Sequence, residues 1–82
     1  MTKVYLVEDI TKTGRIAGRM FAVIDSISGW IFDYRLATRF EYESEAAQYI
    51  ELLKKYGQPT TYSKIKKKQV PRQFAVVEMP NH

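Results

Sequence analysis

Three segments in the first half of the chain have residue patterns typical of β-strands: the first is rich in β-forming residues, and the other two divide their side chains between two faces with a period of two. These segments are residues 3–8, 15–25 and 30–36, and turn-forming residues separate them. The third segment has large apolar residues at every second position. We therefore expect an apolar row on one face of the third strand, formed by Trp30, Phe32, Tyr34 and Leu36.

The period then changes to that of an amphipathic helix. Apolar residues recur three or four positions apart and would share one helix face, namely Ala46, Ile50 and Leu53. Glutamates precede this stretch and lysines end it, which suits the charges at the two ends of a helix dipole. Gly57 and Pro59 are typical of a helix end. The sequence predicts a helix over residues 44–56, with Ser44 as its N-cap or, alternatively, a start at Tyr42.

Two further strands are predicted after the helix. The first is a polar strand over residues 60–69, interrupted by Val70 and Pro71, and the second is an apolar strand over residues 73–79. The element order is then β-β-β-α-β-β. A chain of 82 residues suits one domain, spanning residues 1–82. We expect an α+β fold in which one helix packs on one face of an antiparallel sheet of about five strands.

Apolar surface on both faces of the predicted sheet indicates a partner. A helix of this length is roughly 20 Å long and covers the middle of one face only, whereas the second and last strands carry apolar residues on both faces. Such surplus surface is normally buried against another protein or a second copy of the chain. Tyrosine and tryptophan suit surfaces that are partly apolar and partly in contact with water. The candidate interface residues are therefore Tyr5, Trp30, Tyr34 and Tyr62.

Positive charge is concentrated in residues 54–72. This segment contains seven cations and no acid, so with a net charge of +4 for the whole chain the remaining residues sum to −3. Lysines of this kind either protect an edge strand from aggregation or attract an anionic partner. Tyr56 and Tyr62 lie within the segment, and aromatic residues beside lysines can stack on nucleic-acid bases. The candidate anion-binding residues are Lys54, Lys55, Lys64, Lys66, Lys67, Lys68 and Arg72.

The composition argues against most kinds of catalysis. The chain has no cysteine and its single histidine is His82, which excludes disulfides and thiolate chemistry and most histidine-based catalysis or zinc binding. We expect no enzyme activity, cofactor, metal or small-molecule substrate. No apolar run approaches the roughly 20 residues of a membrane span, and the first residues show no signal-peptide pattern. A cytoplasmic protein that is not embedded in a membrane is therefore expected.

Residues 36–50 resemble a pattern found in small accessory proteins of bacterial phages and prophages. In that pattern an Ala-x-x-Phe step precedes an acidic turn and an alanine-containing helix. Ala37 and Phe40 match the step, and Glu45 and Ala46 match the start of the helix. The resemblance implies a small α+β protein of a mobile genetic element that binds a host protein or nucleic acid in a bacterial cytoplasm. The matching positions are structural, so no functional residue is carried over.

Two functional hypotheses follow. The leading one is a non-catalytic binding module that acts through a protein–protein interface, as a phage or prophage factor that modulates a host protein, with a homodimer as the first partner to test. The alternative is non-specific or single-stranded nucleic-acid binding through the basic surface of residues 54–72, because several lysines can neutralise several phosphates.

Overall fold

The computed structural model describes residues 3–13, 19–24, 29–57 and 59–80. Within these ranges the elements are, in chain order, β1 (Lys3–Asp9), β2 (Met20–Ala22), β3 (Trp30–Ile31), a 3₁₀ helix (Tyr34–Leu36), α1 (Glu43–Tyr56), β4 (Thr60–Ser63), β5 (Lys68–Pro71) and β6 (Phe74–Pro80). Every strand pair is antiparallel. The predicted α+β fold with antiparallel strands and one helix is confirmed, with two sheets in place of one.

The larger sheet has the strand order β3-β2-β1-β6, so the first strand lies inside the sheet. β1 pairs with β6 along its whole length, from Lys3 opposite Pro80 to Asp9 opposite Phe74. On its other side β1 pairs with β2 near one end, and at the other end Tyr5 exchanges two backbone hydrogen bonds of 2.9 Å with Phe40. The buried, β-branched and aliphatic side chains of β1 explain why this strand occupies a central position.

α1 packs on one face of the larger sheet. Ala46 and Ile50 are buried there against Val7 of β1 and Ala22 of β2, as the helical spacing of apolar residues predicts. The helix begins at Glu43, and the N–H of Tyr42 donates to the Glu45 carboxylate at 3.2 Å. The alternative start at Tyr42 is therefore confirmed over Ser44.

The opposite face of the same sheet carries a second, smaller core. Leu6, Phe21 and Ala37 are buried in it, and Ile31 and Met79 are half-buried against them. Ala37 follows the 3₁₀ helix directly, so the segment after β3 crosses this face of the sheet. Apolar side chains thus lie on both faces of β1 and β2, and for the second strand the sequence predicted this.

The predicted third strand over residues 30–36 is wrong beyond Ile31. The Asp33 carboxylate accepts hydrogen bonds from the backbone N–H of Arg35 and from its guanidinium, each at 3.0 Å, and this turns the chain into the 3₁₀ helix. A short polar side chain that captures a nearby N–H competes with strand pairing. Phe32 and Leu36 are 57% and 65% exposed, so the expected apolar row does not form.

The predicted polar strand over residues 60–69 is also wrong, because this segment forms a hairpin. β4 and β5 pair as a separate two-stranded sheet, joined by a turn at residues 64–67. Lys67 adopts a positive φ of 55°, and the Ser63 hydroxyl accepts the N–H of Lys66 at 3.1 Å. These two features reverse the chain in a stretch without glycine, proline or asparagine.

The predicted second strand over residues 15–25 is present only in part. β2 covers Met20–Ala22. Of the remaining predicted positions, residues 15–18 and 25 lie outside the described residues, and residues 19, 23 and 24 are described but do not belong to a strand. Gly29 ends the following connection with a φ of +74°, a conformation that favours glycine. The last predicted strand, residues 73–79, corresponds to β6.

Candidate functional site

Four lysines lie close together at the tip of the β4–β5 hairpin. Lys64, Lys66 and Lys67 belong to the turn and Lys68 begins β5. All four are exposed. None of them forms a salt bridge with a carboxylate in the described part of the chain. Their charges therefore repel one another without compensation, and the tip attracts anions.

The hairpin is held against the loop that follows β1. The N–H of Lys64 donates to the carbonyl oxygen of Thr13 at 2.7 Å. On the inner side of the hairpin, Ser63 is fully buried and Val70 is 8% exposed. This hydrogen bond brings Lys12 of the loop toward the hairpin lysines. We refer to Lys12, Lys64, Lys66, Lys67 and Lys68 as the lysine cluster.

A groove of about 400 Å³ lies between the loop and the hairpin. Two members of the lysine cluster line it, one from each side, and no carboxylate does. Its walls are otherwise apolar or uncharged, and the hydroxyl of Thr11 accepts the N–H of Gln73 at 2.7 Å. The lining residues are Ile10, Thr11, Lys12, Lys66, Val70, Pro71 and Gln73. A positively charged, partly apolar groove of this kind suits an anionic group attached to a flat or aliphatic body.

The other three predicted anion-binding residues lie apart from the hairpin tip. Arg72 donates to the Asp9 carboxylate at 3.3 Å, and its guanidinium lies over the rings of Trp30 and Phe74. It is therefore engaged in packing. At the end of α1, Lys54 is 3.8 Å from a carboxylate oxygen of Glu51. The neighbouring lysine, Lys55, lies over the ring of Tyr56 at 5.3 Å.

The four predicted interface aromatics do not form one surface. Tyr5 and Trp30 pack against the core cluster under α1, and Trp30 stacks on Phe74 with ring centroids 5.6 Å apart. Tyr34 is 42% exposed and packs edge-on against Phe21 of the opposite core. Tyr62 is 43% exposed on β4. Tyr62 alone of the four is therefore on the same hairpin as the lysine cluster.

Tyr34 lines a smaller groove of about 180 Å³ on the sheet face opposite α1. Arginines lie at its rim, and one of them, Arg35, holds the pKa of Asp33 below its ordinary value by side-chain hydrogen bonding. Sequence reasoning did not identify this groove, because strands distant in sequence form its floor. The lining residues are Val4, Leu6, Tyr34, Arg35, Arg39, Met79 and Pro80.

Other kinds of site find no support among the described residues. No group of three or more histidine, cysteine, aspartate or glutamate side chains there could hold a metal ion. The one α-helix in those ranges is too short and too polar to cross a membrane. Comparison with protein-family models, curated proteins and solved structures gives no match. The resemblance to phage accessory proteins therefore stays a prediction.

Proposed function

We propose that this protein is a non-catalytic module that binds the phosphate backbone of nucleic acid through the lysine cluster. The observation that carries the proposal is a cluster of five exposed lysines on the hairpin tip and the adjacent loop, none with a carboxylate partner among the described residues. Two of them, Lys12 and Lys66, line the groove between the loop and the hairpin. Each ammonium group that replaces a condensed counterion releases that ion into solution, and this release drives binding.

Two exposed side chains on the same hairpin as the lysines favour single strands over duplexes. Tyr62 projects from the same face of the hairpin as its cross-strand partner Gln69, opposite the face that buries Ser63. Ile65, in the turn itself, is 68% exposed. Unpaired bases can stack on an exposed aromatic ring while lysines bind the adjacent phosphates. Because every base has such a stacking face, we expect little sequence preference.

Fluorescence anisotropy with labelled oligonucleotides, single-stranded and duplex, tests the proposal. We expect the logarithm of the affinity to fall linearly with the logarithm of salt concentration, with a slope of roughly 0.7 for each neutralised phosphate of a single strand. The variant K66Q/K68Q keeps the unusual backbone at Lys67 untouched. It should weaken binding and reduce that slope by up to about 0.7 for each phosphate that is no longer neutralised.

The matched control is K54Q/K55Q, which removes the same charge from the end of α1. We expect it to bind nearly as the unaltered protein does, since these lysines lie outside the lysine cluster. Equal decreases in affinity for the two variants would mean that net charge, not the hairpin, governs binding. No binding of the unaltered protein at low salt would overturn the proposal. Circular dichroism shows whether each variant is folded.

A protein interface is the second candidate, and a separate observation favours it. On the sheet face opposite α1, several apolar side chains of β1 and β6 are only half-buried, among them Val4, Val77 and Met79. Burial of such side chains against another protein would be favourable. Modulation of a host protein, a phage origin and a cytoplasmic location remain predictions from the sequence.

A further inference from the structure

β6 forms one edge of the larger sheet, and the backbone hydrogen bonds of β1 show which residues of β6 bond to β1. The N–H of Ile10 donates to the Gln73 carbonyl at 2.9 Å, whereas Tyr5 exchanges its backbone hydrogen bonds with Phe40, on the other side of β1. The backbone N–H and C=O groups of the even-numbered residues of β1 therefore point toward β6. In the antiparallel register, the backbone groups of the odd-numbered residues of β6 point toward β1, and those of the even-numbered residues Phe74, Val76 and Glu78 point outward.

This outer edge is open in the part of the chain that the structure describes. No backbone hydrogen bond there joins the N–H or C=O groups of Phe74, Val76 or Glu78 to a residue beyond the edge. Exposed edges are usually protected by lysine, proline or a bulge. β6 has no lysine, its proline is at its last position and its register with β1 is unbroken over seven residues.

We propose that β6 pairs antiparallel with β6 of a second copy of the chain, around a two-fold axis at Val76. Only residues that face outward can exchange hydrogen bonds across the new junction, so even-numbered residues must oppose even-numbered ones. In the register that lets all three outward-facing residues form hydrogen bonds, Val76 lies opposite Val76 and Phe74 lies opposite Glu78. This junction joins two four-stranded sheets into one continuous sheet, and it is independent of the lysine cluster.

The side chains of β6 are complementary to themselves in this register. On the α1 side, Glu78 of one copy lies beside Phe74 of the other, and the Arg72 guanidinium lies 5.0 Å from the centre of that Phe74 ring. A carboxylate thus approaches a cation across the junction. On the opposite face, Ala75 meets Val77 of the second copy, and both side chains are half-buried in the single chain. The charged pair and the apolar pair each occur twice, as two-fold symmetry requires.

Amide hydrogen exchange of the unaltered full chain, measured by NMR at several protein concentrations, tests the junction directly. We expect the outward N–H groups of Val76 and Glu78 to exchange more slowly as concentration rises. The N–H groups of Val77 and Met79 face β1 and should be protected at every concentration. Sedimentation velocity over the same range should show a monomer–dimer equilibrium. A monomer at all concentrations, with rapid exchange at Val76 and Glu78, would overturn the proposal.

A matched pair of variants separates the contribution of backbone hydrogen bonding to dimerisation from that of the Glu78 side chain. E78P removes an outward-facing N–H but leaves the hydrogen bonds to β1, whereas E78A removes the same carboxylate, with its ion pair to Lys3, and keeps the N–H. We expect E78P to weaken dimerisation at least tenfold and E78A to weaken it only a few-fold. Dimerisation of E78P with the affinity of E78A would overturn the proposed junction. Protection of the Val77 N–H shows that each variant retains the sheet, and the exchange experiment on the unaltered chain stands without the variants.

Discussion

Arg72 donates a hydrogen bond to the carboxylate of Asp9, with 3.3 Å between Nη2 and Oδ2, and so joins residues 63 positions apart. The two side chains are only 17% and 23% exposed. The guanidinium also lies 5.3 Å from the ring centre of Trp30, and the other carboxylate oxygen of Asp9 accepts the N–H of Thr11 at 2.9 Å. This pair fixes the base of the hairpin to the end of β1.

Replacement of Arg72 by glutamine should destabilise the fold by about 2 kcal/mol, because a partly buried Asp9 carboxylate loses its charged donor and the aromatic rings lose the guanidinium packed over them. Chemical denaturation in urea measures the change. The control is R35Q, which breaks the ion pair with Asp33 at a site where the arginine side chain is 72% exposed. It should leave stability nearly unchanged, because exposed ion pairs contribute little. Equal losses of stability in R72Q and R35Q would show that the ion pair between Arg72 and Asp9 adds no particular stability.

Two adjacent alanines of α1 test how the helix packs. Ala46 is fully buried against the sheet, whereas Ala47 is exposed. A46L inserts a larger side chain into a filled space and should destabilise the protein by about 1–3 kcal/mol. A47L adds the same atoms on the solvent side and should change stability by about 0.5 kcal/mol or less. Thermal unfolding of the two variants compares them directly, and a stable A46L would contradict the packing described above.

The 3₁₀ helix after β3 should weaken in acid. Hydrogen bonding from Arg35 to the ionised carboxylate holds the pKa of Asp33 below its ordinary value, so the folded state binds a proton less readily than the unfolded chain. This contribution is fully present above the unfolded pKa of about 3.9 and is lost as pH falls through the lower, folded pKa. NMR titration of the Asp33 carboxyl carbon should give a midpoint below that of an ordinary aspartate, and R35Q should raise it. An unchanged midpoint in R35Q would show that another group lowers it.

The sequence predicted the elements whose signals are local. β1 and α1 are formed by uninterrupted patterns, and Gly57 and Pro59 mark the end of the helix correctly. The third strand was overextended because alternation continues past Ile31, while the Asp33 side chain, not the pattern, decides where the chain turns. The hairpin was missed since Lys67 adopts a left-handed conformation that lysine rarely shows.

The candidate site was predictable only in part. A run of lysines identifies residues 64–68 as a cationic segment, and they are exposed in the structure. Lys12 was missed because the hydrogen bond between Lys64 and Thr13 that brings it near depends on the tertiary fold. Arg72 belongs to the same run in sequence, yet its side chain turns inward to Asp9. Sequence reports the charge of a segment, whereas side-chain direction depends on the elements that pack around it.

The central position of β1 has a consequence for biosynthesis. Its full-length neighbour is β6, which follows every other described element in chain order, so a ribosome delivers β1 well before its partner. β1 must remain unpaired along one side until β6 leaves the exit tunnel, and nascent strands with open edges are prone to aggregation. A transcript truncated before Phe74 would yield a polypeptide that cannot complete its sheet, and chaperones and proteases would recognise the exposed apolar strand.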